Sequence, residues 1–159
     1  MILNIGLWIL MIVMVISYFG IIIKKYGVLR SLSDSVYELP TRFKWLFPGF
    51  MGLFGIFMMI IANNWLADIT GICFFMVGIA YDFRKSNLIN TIHLIGAFLG
   101  VITSQLYIIF IINQPWVSLC FFASALLTTF ISSLCKNTIW WQELLVFISA
   151  IVSLGILIF

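Results

Sequence analysis

Long apolar runs and short polar breaks alternate along the chain. Six apolar runs cover about residues 2–23, 45–62, 65–83, 90–112, 116–134 and 139–159. Each is close to the roughly 20 residues a helix needs to cross the hydrocarbon core of a bilayer. None shows the period-two alternation of a membrane barrel strand. A bilayer satisfies backbone groups only in helices or closed barrels, so continuous runs of this kind are helical. The pattern predicts an all-α, polytopic transmembrane helix bundle of six spans, forming a single domain over residues 1–159.

The breaks differ in kind. Asn63-Asn64 and Asn113-Gln114-Pro115 read as tight turns, and Cys135-Lys136-Asn137 connects the last two runs. The break at 24–44 is the one long polar interruption. It holds Arg30-Ser31-Leu32-Ser33-Asp34-Ser35-Val36-Tyr37-Glu38-Leu39-Pro40. Ser35 and Glu38 have capping-box spacing, which predicts a short interfacial helix with Tyr37 at headgroup level, stopped by Pro40. This loop is also the first candidate for the lid or wall of a site.

Within the runs, small residues line up. Gly49, Gly52 and Gly55 recur at spacing three, and Gly71 and Gly78 fall on one side of the third run. His93, Ala97, Gly100 and Ser104 share a helical face, and Gly96-x-x-x-Gly100 is a small-xxx-small pattern. Such faces let helices approach closely, within one chain or between copies. A homo-oligomer through Gly/Ser-rich faces is therefore one expectation. The fifth run carries Ser118, Ser124, Thr128, Thr129, Ser132 and Ser133, whose hydroxyls can bond along or across helices.

Composition agrees with the pattern. The chain is 64% hydrophobic and only 8% charged, with mean hydropathy +1.24. Soluble domains carry roughly 25% charged residues. The charge asymmetry adds orientation. All eight Lys and Arg lie in the breaks after runs one, three and five. By the positive-inside rule these breaks are cytoplasmic and both termini are outside. Residues 2–23 are apolar from the start, and the first positive charges, Lys24 and Lys25, follow them. That order reads as an uncleaved anchor rather than a signal peptide. The net charge of +3 is scattered at span ends, so no nucleic-acid partner is expected. The expected partners are the lipid bilayer and anionic headgroups at the cytoplasmic face, attracted by the basic 24–44 loop. Cys73, Cys120 and Cys135 form no CxxC pair, which argues against a disulfide framework or thiolate metal site.

On this topology Ser33, Asp34, Tyr37, Glu38, Asp82, His93 and Glu143 all fall near the cytoplasmic boundary. Asp82, His93 and Glu143 are acceptable ligands for zinc or a harder cation, or an acid–base set with His93 as the group nearest neutrality. Ser33 is a nucleophile only if a base reaches it. Arg30, Asp34, Tyr37, Glu38 and the deeper Gln105 are candidate ligand-binding residues. HExxH, GxSxG and P-loop motifs are absent, and one histidine cannot supply a three-histidine zinc site.

Ser31-Leu32-Ser33-Asp34-Ser35-Val36-Tyr37, Ala80-Tyr81-Asp82-Phe83, Ile92-His93-Leu94-Ile95-Gly96-Ala97 and Trp141-Gln142-Glu143 resemble the motifs of a family of small bacterial integral membrane proteins with an "SISD-x-Y" loop. The resemblance covers nearly the whole chain. It implies a six-helix fold in a bacterial inner membrane and marks Ser33, Asp34, Tyr37, His93 and Glu143 as signature positions, with no activity attached. A weaker similarity is to the seven-helix membrane hydrolases of the alkaline ceramidase and adiponectin receptor type. There Ser33, Asp82 and His93 would stand for elements of a zinc site, but two further histidines and a seventh span are missing.

Three functions follow in order. The first is a cytosol-facing site that binds a small molecule or lipid headgroup, as a sensor or accessory subunit, with no cofactor expected. The second is a metal-assisted or acid–base hydrolase of a lipid-like substrate, with zinc as the candidate metal. The third is an oligomeric channel or transporter.

Overall fold

The computed structural model describes residues 2–131 and 137–159. Ser132, Ser133, Cys135, Lys136 and the expected end of the fifth run at 134 lie outside the described residues. Six apolar helices are present: α1 (Ile2–Tyr26), α3 (Leu46–Ala62), α4 (Trp65–Ile79), α5 (Asn87–Phe110), α6 (Pro115–Ile131) and α7 (Thr138–Ile158). A one-turn helix, α2 (Ser35–Glu38), lies between α1 and α3. No strand occurs among the described residues. Among the described residues, four segments are long and apolar enough to cross a membrane: Ile2–Tyr26, Thr41–Ala62, Asn87–Phe110 and Thr138–Ile158. The helices α4 and α6 are apolar but shorter, with 15 and 17 described residues. At 1.5 Å per residue α4 is about 22 Å long, against roughly 30 Å of hydrocarbon.

Three boundaries differ from the sequence reading, each for a local reason. The first helix runs on to Tyr26 because Lys24 and Lys25 suit its negative C-terminal end, and Gly27, at φ +77°, turns the chain out of it. The fourth helix stops at Ile79 rather than 83. Tyr81, Asp82 and Phe83 therefore lie in a turn, closed by Lys85 N–H donating to the Asp82 carbonyl at 2.9 Å. The fifth begins at Asn87 rather than 90, because the Ser86 hydroxyl accepts from Ile89 N–H and caps it. His93 thus sits nearly two turns inside α5 instead of one.

The glycine faces do the work expected of them inside the chain. A Cβ on Gly55 would stand 2.7 Å from the Gly71 carbonyl oxygen, so α3 and α4 cross backbone to backbone there. Gly78 meets Pro48 and Met51 on the same α3–α4 seam. Gly96 and Gly100 bring α5 equally close to α4, against Cys73 and Met76. Gly49 is the exception, since it meets only the Trp45 ring of its own helix. At the other side of the bundle α1 and α7 are joined by Trp8, whose indole N–H donates to the Ile151 carbonyl at 2.8 Å over Gly155. Phe147 of α7 centres the core. Its ring lies within 6 Å of Phe19 (α1), Phe50 and Phe54 (α3) and Phe74 (α4). The closest packing is α3 on α4 and α4 on α5, while α5 touches α6 and α7 lightly.

Gly55→Ala is expected to destabilise the fold by about 1–3 kcal/mol, because the new methyl meets backbone that cannot rotate away. Gly20→Ala, with open space around its position, should be neutral or stabilising by up to ~1 kcal/mol. Thermal melting of the two variants in the same detergent, followed by circular dichroism, checks this. Equal shifts would rule out a backbone crossing at Gly55.

Candidate functional site

The 24–44 loop forms the expected short helix at Ser35–Glu38, which ends before Pro40, and folds back into the end of the bundle. Leu32, Val36 and Leu39 are buried in the same apolar core as Phe47 and Trp140. A helical turn starts at Ser31, with backbone bonds to Ser31, Leu32, Ser33 and Asp34 carbonyls from the residues three further on. The Ser31 hydroxyl also accepts from Asp34 N–H at 3.2 Å. The Ser35–Glu38 capping box does not form. Ser35 is inside the turn rather than at its cap, and its buried hydroxyl instead shares a 2.7 Å hydrogen bond with the Tyr18 phenol of α1. Glu38 is exposed.

Two contacts hold this loop over the neighbouring connections. Leu32 N–H donates to Glu143 Oε2 of α7 at 2.5 Å, and the Ser33 side chain lies within hydrogen-bonding reach of the same carboxylate. Asn137 Nδ2 donates to the Val28 carbonyl at 3.0 Å, which fixes the start of α7 to the loop. On the other side, the Arg84 guanidinium pairs with Asp34 at 2.6 Å and lies 4.1 Å from the Tyr37 ring centroid. The Arg84 backbone N–H donates to the Tyr37 phenol at 2.9 Å. Phe83 meets Tyr37 edge-on at 5.4 Å and stacks on His93 at 4.5 Å. A chain of contacts therefore runs Asp34–Arg84–Tyr37–Phe83–His93.

Behind the loop is a cavity of about 660 Å³ between α5 on one side and α6 with α7 on the other. Its polar end carries Arg30, Ser31, Ser33, Asp34, Arg84, Asn90, His93, Gln142 and Glu143. Its walls are apolar: Leu94, Ala97, Phe98 and Val101 of α5, Phe121, Phe122 and Ala125 of α6, Ile139 and Val146 of α7. His93 is buried, faced by the backbone of Val77 and Ala80, and its Nδ1 makes no hydrogen bond among the described residues. Gln142 Nε2 donates to Thr129 Oγ1 at 2.7 Å, which ties α7 to α6 at the cavity edge.

The sequence candidates thus divide. Arg30, Ser33, Asp34, His93 and Glu143 come together on one cavity. Tyr37 is one residue outside it, holding Arg84 in place. Asp82 and Glu38 are not among its lining residues, and the cation nearest in sequence to Asp82, Arg84, pairs with Asp34 instead. Among the described residues no three His, Cys, Asp or Glu side chains are grouped closely enough to hold a metal ion, so the expected Asp82–His93–Glu143 ligand set is not assembled. Gln105 is buried away from the cavity. Its side-chain amide N–H donates to Ser149 Oγ at 3.2 Å, and its backbone carbonyl accepts from the Ser118 hydroxyl at 3.5 Å, so it ties α5 to α7 and α6. Sequence reasoning missed Arg84, Asn90 and Gln142 as site residues. Arg84 is 50 residues from Asp34, and no local pattern links them.

No family model, curated protein or solved structure matches the chain.

Burial is the main influence that raises the Tyr37 phenol above its ordinary 10.0, and the Asp82 and Asp34 charges add to it, against the Arg84 backbone bond and charge. An unfolded Tyr37 ionises near 10.0 and the folded one only at higher pH. The stability this gives is intact below pH 10.0 and is lost as pH rises through the raised value. Tyr37→Phe should therefore lose less melting temperature than the wild type between neutral pH and the range above 10.0. Parallel alkaline losses in the two proteins would show that Tyr37 ionises equally in both states.

Proposed function

We propose that the protein is a six-span membrane protein of a bacterial inner membrane that binds an amphiphile, a small molecule or lipid headgroup with its apolar part, at its cytoplasmic face. The observation that carries this reading is the cavity: about 660 Å³, polar at one end and apolar along its length. That is within the range of small-molecule sites, which are mostly apolar with a few placed polar groups. The orientation rests on charge. The seven described Lys and Arg all lie at the end of the bundle that carries the polar residues, and Asp68 is the one acid at the other end. The two short helices, α4 and α6, would span with the tilt or local thinning that mismatch demands, with the exposed Trp65 and Trp116 at the outer interface. The small-residue faces of α3, α4 and α5 are occupied within the chain, which leaves Gly6 and Gly20 of α1 as the open glycines for contact between copies.

A second reading has one observation in its favour. The Ser33 side chain adjoins the Glu143 carboxylate, and His93 faces the same cavity. That is the arrangement of a nucleophile beside a base, as an acid–base hydrolase of a lipid-like ester or amide would need. The donor set does not fit the zinc centre that the membrane-hydrolase similarity implies, since Asp82 is off the cavity and His93 is the one histidine.

Native mass spectrometry of gently extracted protein, with elemental analysis of the same sample, tests both. Binding predicts a defined lipid or metabolite on the wild type that is lost in Ala125→Trp, which fills the cavity, and kept in Ala123→Trp, whose side chain is exposed outside it. Equal ligand content in all three would sink the cavity as the binding site. Turnover of an added lipid ester that disappears in Ser33→Ala would move the hydrolase reading ahead.

A further inference from the structure

The shape of the cavity narrows its ligand, on the reading that it binds an amphiphile. Its walls open sideways. Leu94 and Phe98 of α5 are 58% and 67% exposed, and Phe122 of α6 is 48% exposed, yet all three line the cavity. The gap between α5 and α6 therefore faces the region a bilayer would fill. About 660 Å³ is the size of a site that takes one aliphatic chain with a small headgroup.

The polar end discriminates further. Arg84 is already neutralised by Asp34, while Arg30 at the cavity mouth has no acidic partner among the described residues. An unpaired guanidinium is matched to a phosphate. Deeper in, on the second turn of α7, Glu143 faces the cavity beside Ser33. Its bond from Leu32 leaves acceptor capacity on the carboxylate. The acceptor capacity left there suits a hydroxyl. A ligand must therefore carry, in order from its tail, one apolar chain, a free hydroxyl, and a phosphate.

We propose that the cavity takes a phospholipid with a single acyl chain, a lysophospholipid, which slides in from the cytoplasmic leaflet between α5 and α6. The chain lies along Leu94, Phe98 and Phe122. The glycerol hydroxyl freed by the missing chain reaches Glu143, and the phosphate reaches Arg30.

The full-length protein in nanodiscs of two-chain phosphatidylglycerol, labelled with a diazirine-tailed lysophosphatidylglycerol, tests this. Labels should map to residues 94–101 and 121–125, and unlabelled lysophosphatidylglycerol should compete at least tenfold better than palmitate. Arg30→Gln should weaken that competition about tenfold, the loss of one charge-assisted contact. Arg42→Gln, a basic residue off the cavity, should leave it unchanged. If palmitate or a short two-chain phosphatidylglycerol competes equally, or Arg30→Gln has no effect, the lysophospholipid assignment is overturned. The broader amphiphile reading then still stands, provided that Ala125→Trp blocks the label. Absence of cavity labelling by every probe overturns both.

Discussion

Backbone that leaves helical form inside an apolar bundle must find its hydrogen bonds within the protein. Residues 27–34, ahead of the one-turn helix α2, are such backbone, and much of the surrounding structure is arranged around satisfying it. The loop cannot lie flat on the surface, because Leu32, Val36 and Leu39 belong to the core. It cannot enter the core unaided, because its N–H and C=O groups would be orphaned. The bonds it makes within its own turn serve the N–H groups of Asp34, Ser35, Val36, Tyr37 and Leu39. Two more are served from elsewhere in the bundle: Glu143 takes Leu32 N–H, and Asn137 donates to the Val28 carbonyl, while the Tyr18 phenol meets the Ser35 hydroxyl. Each of these partners is held by apolar packing one or two turns away, so loop and bundle specify one another.

The cavity follows from how α5 is built. Its small face, Gly96 and Gly100, is turned toward α4, where the two helices come to backbone distance. Its opposite face carries Leu94 and Phe98, and the facing wall of α6 carries Phe121 and Phe122. Two bulky faces cannot close to the same separation as two small ones. A cleft remains between α5 and the α6–α7 pair. At its outer end the Gln105–Ser149 bond and the Ser118 hydroxyl draw the three helices together. At the inner end the loop roofs it with polar groups. The amphipathic lining is thus a by-product of which helix faces are small and where the polar loop had to be tied down.

That origin explains what could be read from the chain. The helices, their order and the tight Asn63 and Asn113 turns follow from apolar run lengths and from residues that tolerate positive φ. The α3–α4 and α4–α5 seams follow from glycine spacing, because a missing side chain has the same effect whichever helix meets it. The polar cluster was legible only as membership of one membrane side. Nothing in the local sequence tells that Arg84 pairs with Asp34 rather than with its neighbour Asp82, or that Ser35 bonds to Tyr18 rather than capping its own turn. Both outcomes depend on where the loop's apolar residues settle. Helix length was misread at 79 and 87 for a related reason: hydropathy continues past the point where the chain turns, and only Ser86 marks the new start.

Glu143 then carries two demands that pull in different directions. As the acceptor for Leu32 it must stay where the loop needs it, and losing it would leave a buried N–H unpaired at a cost of roughly 1–3 kcal/mol. As a lining residue of the cavity it also turns its remaining acceptor capacity to that space. A carboxylate can do both, because its two oxygens offer about four acceptor sites and a backbone N–H uses one. A glutamine offers one carbonyl oxygen, with about half that acceptor capacity. The loop's position and the cavity's polarity are therefore set by one side chain. Because Glu143 both lines the cavity and holds Leu32 N–H, the segment that roofs the cavity is anchored by one of the cavity's own polar groups.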